Sequence, residues 1–157
     1  MRRNYPEKPD KVYFMGTCLA DMLYAEAGLA GIRLLEREGV KVIYPRDQTC
    51  CGQPAFNSGF QEEALEVALH QIHCFPKAYP IVVPSGSCGA MMVRHYPELF
   101  EGHPLEQKAI EFSSRIFELS EFLHHVLKIR LKDQGVPVKV TWHTSCHAKR
   151  ELGLGDE

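Results

Sequence analysis

Five cysteines stand where they could act together: Cys18, the adjacent pair Cys50 and Cys51, Cys88, and Cys146. Each follows a short apolar run that reads as a β-strand. In an open parallel sheet, the crevice beyond the carboxyl ends of the strands is where ligands bind, so the five thiols are expected along one edge. Soft thiolates suit iron and zinc, and a group of several metal atoms draws its ligands from separate loops. Adjacent residues in a regular strand point to opposite faces. Cys50 and Cys51, however, lie in Thr49-Cys50-Cys51-Gly52-Gln53-Pro54, where Gly52 and Pro54 permit an irregular turn that aims both sulfurs at one centre. Zinc, thiols without metal, and a strained vicinal disulfide between Cys50 and Cys51 are the competing uses of the same residues. Cys74 ends a helical segment away from that edge and reads as a packing cysteine. His143 and His147 flank Cys146 and offer imidazoles to metal or to sulfur.

The elements that must position these thiols alternate. Val12 to Met15, Lys41 to Tyr44, Ile81 to Pro84 and Val138 to Trp142 have strand character. Between them the apolar spacing is helical. One helix is expected over Ala20 to Glu38, stopped by Gly39, with Gly28 and Gly31 letting it lie close to a sheet. A second starts near Ser58, with Ser58 and Gln61 at capping-box spacing. A third begins at Ser87 or Cys88 and stops before Pro97, directing backbone N–H groups toward the cysteine crevice. A fourth carries Ile116, Leu119, Leu123, Val126 and Leu127. Alternating strands and helices imply an α/β fold: a parallel, Rossmann- or flavodoxin-like sheet of about four strands with helices on both faces.

The pattern also recurs. Lys11 to Ala20 reads KVYFMGTCLA and Lys139 to Ala148 reads KVTWHTSCHA, an ungapped repeat offset by 128 residues. Residues 1–137 are therefore taken as a first cysteine-rich domain and 138–157 as the start of a second, incomplete repeat, either in a fragment or in a chain that lost the second copy.

Composition narrows the partners. The 157 residues carry a formal net charge of -2, with Lys and Arg scattered, which leaves no electrostatic footprint for nucleic acid or an anionic membrane. The N-terminal MRRNYPEKPD lacks the apolar stretch of a signal peptide, and no run approaches the roughly 18 to 20 apolar residues that span a bilayer. A cytoplasmic protein is expected, and in that reducing compartment six cysteines point to metal or redox chemistry rather than a disulfide framework.

With these residues in view, the chain resembles the cysteine-rich (Cys-Cys-Gly) domain family found in heterodisulfide reductase, the glycolate oxidase iron-sulfur subunit and the lactate utilization proteins. The family pattern is a Cys, roughly 31 to 38 residues, a Cys-Cys pair, about 33 more, and Cys-x-x-Cys. Here residues 19–49 separate Cys18 from Cys50, and residues 52–84 separate Cys51 from Ser85, which precedes Cys88 by three positions. Ser85 stands where the pattern has the first Cys of the final pair. The stretches GTCLADMLYAEAG, QTCCGQPAFNSGFQEEA, VPSGSCGAMM and WHTSCHAKRELG are most similar to the lactate branch.

The resemblance implies that Cys18, Cys50, Cys51 and Cys88 hold an iron-sulfur cluster, that Ser85 is a further candidate ligand, and that Cys146 belongs to a second site. Because a serine alkoxide is a harder and more basic ligand than thiolate, at most one four-cysteine cluster, of the 4Fe-4S type, is expected in this unit. It further implies a non-autonomous electron-transfer subunit of a complex oxidising L-lactate to pyruvate, with ferredoxin-type iron-sulfur partners. The glycolate oxidase and heterodisulfide or thiol-disulfide reductase roles are alternatives, as is a zinc-binding or metal-free interaction domain. No dinucleotide fingerprint is present, so the substrate chemistry is assigned to another subunit or to a second half.

Overall fold

The computed structural model describes residues 3–130, 135–139, 141, 143 and 145–155. Four strands form one sheet: β1 (Lys11–Phe14), β2 (Lys41–Ile43), β3 (Ile81–Val83) and β4 (Ile116–Glu118). They lie in the order β2-β1-β3-β4, and every pairing is parallel, with Lys11 opposite Lys41, Tyr13 opposite Ile81 and Ile81 opposite Ile116. The order reverses direction between β1 and β3, which makes the carboxyl ends of these two strands the switch point where an α/β sheet opens a crevice.

Alternation along the strands divides the core in two. Tyr13, Met15, Ile81, Val83 and Ile116 face one side, against α4 (Gln61–Cys74), α6 (Tyr96–Leu99) and α7 (Glu106–Ser114). Val12, Phe14, Val82 and Phe117 face the other, against α2 (Ala25–Arg37) and the segment after β4. Helices thus cover both faces, as the α/β reading requires. Gly31 lies against the sheet, since a Cβ there would meet Phe14 and Leu119 at 3.1–3.3 Å, whereas Gly28 faces open space. Gly39 stops α2 in the left-handed conformation, at φ +77°.

Several element boundaries differ from the sequence reading. The helix expected over Ala20 to Glu38 is two helices, α1 (Cys18–Leu23) and α2, because Tyr24 leaves helical geometry at φ -136° and ψ 45°. Ser58 does not start the second helix; it ends the short α3 (Gln53–Asn57), which Pro54 favours from its first turn, and α4 begins beyond Gly59. The helix from Gly86 does not stop before Pro97. It passes from α5 (Gly86–Ala90) through a π-helical turn, Met91–His95, into α6, and the widened ladder sends the Tyr96 N–H back to Met91 O.

The fourth strand is the largest correction. Ile116–Glu118 forms β4 inside the first unit, where the sequence reading has a helix. The chain turns helical only from α8 (Leu119–Glu121) and a π turn, Phe122–Val126. The strand expected over 138–142 falls partly outside the described residues, at 140 and 142; Val138, Lys139 and Thr141 are exposed and belong to no strand.

At the far end of the sheet, Glu121 is buried, ion-paired to Arg3 at 2.9 Å and hydrogen-bonded by Tyr5 at 3.2 Å, which ties the N-terminal segment under β4. A last helix, α9 (Cys146–Arg150), packs on α5. No helix among the described residues is long and apolar enough to cross a membrane.

Candidate metal centre

Each thiol comes from a different βα junction or from the turn after β2. Cys18 is the first residue of α1, Cys50 and Cys51 lie between β2 and α3, and Cys88 lies in the first turn of α5. The topology therefore delivers all four to the carboxyl ends of β1, β2 and β3, at the switch point.

They converge. Cys18 Sγ and Cys50 Sγ are 3.7 Å apart. Cys51 lies near enough to both Cys50 and Cys88 for each to shift its titration, so the sulfurs run Cys18, Cys50, Cys51, Cys88. Cys51 and Cys88 are buried, while Cys18 and Cys50 are half-buried. A cleft of about 170 Å³ opens over the latter two, between Thr17, Asp21, Met22, Tyr44, Gln48 and Thr49.

The crowding redistributes protons. Hydrogen bonding from Cys51, helped by the backbone at Gly52, lowers the Cys50 thiol to about 5. Cys88 falls to about 7, first through Cys51 and then, against burial, through the Ser85 and Ser87 hydroxyls. Cys51 is pushed strongly upward by the neighbouring Cys50 and Cys88 thiols and by burial. Burial, then Cys50, raises Cys18. Cys51 and Cys18 thus keep their protons while Cys50 and Cys88 move toward the thiolate, whose charge a cationic centre at this point would balance.

Three glutamines that the sequence reading passed over hold the loops in place. Gln48 accepts from Gly16 N at 2.8 Å and donates to Phe14 O at 3.2 Å and Pro45 O at 2.9 Å, joining the turn after β2 to the one after β1. Gln71, fully buried on α4, accepts from Thr49 N and donates to Thr49 O, both at 3.0 Å. Gln53 donates to Ser87 O at 3.1 Å, linking the Cys-Cys turn to the Cys88 loop. Buried Tyr96 donates to Cys51 O at 3.0 Å. The signal was present for Gln71: it follows Ala64 and Ala68 on the apolar face of its helix, where an uncharged polar side chain needs a partner.

Gly52 makes the Cys-Cys turn possible. It sits at φ +83°, and a Cβ there would be 3.3 Å from Ala64 O, so both conformation and space call for glycine. Ser85 caps α5, its hydroxyl accepting from Cys88 N at 3.4 Å and lying 3.2 Å from Ser87 Oγ.

The remaining candidates lie apart from this group. Cys146 is exposed at the start of α9. His147 is 3.6 Å from Glu151, and His143 lines a separate cleft with Gly86, Glu118 and His124. Cys74 lies at the end of α4, its thiol donating to Asp47 O at 3.3 Å. Met91 and Met92 are core residues. Among the described residues, no three Cys, His, Asp or Glu side chains close around a single ion.

The family model described as Cysteine-rich domain (CCG) matches residues 12–93. Lactate utilization protein A of Geobacillus kaustophilus is 45% identical over 147 residues, 93% of this chain and 61% of that protein. The protein of the same name from Halalkalibacterium halodurans is 44% identical over 144 residues, 91% and 59% of the two chains. That of Shouchella clausii is 46% identical over 137 residues, 87% and 57%. The chain spans about three fifths of the length of these curated relatives. No solved structure matches it. Since the matched residues cover more than half of the chain and take in all four converging cysteines, the chain belongs to the cysteine-rich (CCG) domain family.

Proposed function

We propose that Cys18, Cys50, Cys51 and Cys88 hold an iron-sulfur cluster of the 4Fe-4S type, and that the chain is an electron-transfer unit of a complex that oxidises L-lactate to pyruvate. The convergence of four thiols at the switch point carries this reading. The donor set fits the group: all four atoms are sulfur, they come from three separate loops, and they are strung out instead of closing on one ion.

Bound there, the cluster would supply one-electron chemistry. The polypeptide's own part is positional. Cys51 and Cys88 anchor the buried side, Cys18 and Cys50 the side that opens to the surface, and the glutamines fix the loops. A centre reaching the surface on one side suits exchange of electrons with a docked partner, for which ferredoxin-type subunits are the class of choice. Lactate as the substrate of the complex rests on the similarity to the lactate utilization proteins. Cys146, outside the group, is assigned to a second site that needs further thiols, in keeping with residues 138–157 as the opening of a second repeat.

Anaerobic purification followed by iron, sulfide and zinc quantitation and electron paramagnetic resonance tests the proposal. Iron with matching sulfide is expected; zinc without iron contradicts it. One observation favours a second reading, a dithiol-disulfide function: Cys50, lowered to about 5, lies 3.7 Å from a second half-buried thiol. Reduction of a disulfide substrate by iron-free protein would select that reading.

A further inference from the structure

The repeat seen in the sequence is also a repeat of local structure. Thr17 caps α1, accepting from Ala20 N at 3.3 Å, and Ser145 caps α9, accepting from Ala148 N at 3.3 Å. A cysteine opens each helix. The offset of 128 residues therefore maps α9 onto α1, with Ala148 on Ala20 and Leu152 on Tyr24.

The two helices differ in what covers them. α9 is seated on α5: a Cβ at Gly86 would lie 2.7 Å from Ala148 Cβ and one at Gly89 would lie 3.3 Å from Leu152 Cδ1, so these glycines are the floor on which α9 rests. Arg94 donates to Glu151 O at 2.8 Å, and His95 lies 3.1 Å from the Glu151 carboxylate. On α1 no residue is buried; Leu19, Met22, Leu23 and Tyr24 are 65–79% exposed, an apolar patch on one short segment.

We propose that α1 is the counterpart of α9 in a reciprocal interface: its apolar face seats on the α5-type helix of a second unit of this same fold, in the manner in which α9 seats on α5. The occupant must present that helix uncovered. An unaltered second copy of this chain does not, because α9 already occupies its α5. A closed, two-fold arrangement follows, each unit lending the cysteine-bearing helix that follows its first strand to the other. Such an arrangement also places Cys146 at the edge of the second unit. The inference stands on the packing of α9 and is independent of iron.

Freeing α5 turns a second copy into the required occupant. Ala148→Arg with Leu152→Asp unseats α9 in the full chain without touching either core cluster. Leu152→Asp alone is a milder variant, and circular dichroism verifies the fold. Light scattering after size exclusion is expected to give a monomer for the wild type, a doubled mass for the unseated variants, and a monomer again when Leu23→Glu and Tyr24→Glu are added. The proposal is overturned if the unseated variants stay monomeric, if the dimer survives the α1 substitutions, or if the wild type already dimerises through α1.

Discussion

Four sulfurs in one small volume cannot behave as four ordinary thiols. In the iron-free, reduced protein buried Cys51 and half-buried Cys18 hold their protons, and Cys50 loses its own near pH 5. Cys50 is also half-buried and so reachable. The nucleophile is the thiolate, whose population at Cys50 is complete above that pKa and falls about tenfold for each pH unit below it. Iodoacetamide at about pH 6 is therefore expected to label Cys50 ahead of Cys74, whose thiol is raised by burial and by Asp47. Mapping the modified peptides by mass spectrometry checks the order; equal labelling of the two contradicts the proton sharing derived from the site. In sequence, the cysteine spacing shows which residues are of interest, but nothing in it distinguishes the thiols that keep their protons from those that lose them. That depends on burial and on which sulfur lies between two others.

The elements show where sequence reasoning reached and where it stopped. Three strands and the thiols that follow them were legible, because a run of β-branched or aromatic residues ending in a turn and a cysteine leaves few alternatives. β4 was not. Ile116, Leu119, Leu123 and Val126 fall at helical spacing, and a three-residue strand entering a helix leaves that spacing intact. What makes Ile116–Glu118 a strand is pairing with β3, a contact remote in sequence. Pro97 misled for a related reason, since a π turn carries the helix past it. The staples made by Gln48 and Gln53 were hidden because an amide in a loop or a short helix looks ordinary until its partners are known, whereas the place of Gln71 on the apolar face of α4 signalled it. Gln71 satisfies both backbone groups of Thr49, next to the Cys-Cys pair. Gln71→Leu keeps the volume and leaves that N–H and C=O without a partner, a cost of about 2 kcal/mol. Chemical denaturation is expected to show a loss of that size, together with reduced iron retention in the loaded protein. An unchanged midpoint and full iron content would mean that the turn holds itself.

At the scale of the molecule, the strand order decides the location of the site. With β1 and β3 at the centre and the chain crossing from one side of the sheet to the other between β2 and β3, the loops after β1, β2 and β3 meet at one lip. A parallel sheet covered on both faces keeps that lip rigid from below, and the two core clusters on either side of it leave the lip as the place where loops carry chemistry. The same topology puts Cys74, at the end of a helix, outside the group. Iron and sulfide content across a series of single Cys→Ala variants, loaded anaerobically, tests this most directly. Substitution of Cys18, Cys50, Cys51 or Cys88 is expected to lower iron per chain severalfold and remove the wild-type resonance signal, while Cys74→Ala keeps both. Full iron and an unaltered signal in Cys51→Ala, whose sulfur lies between two of the others, would contradict a cluster held by these four thiols.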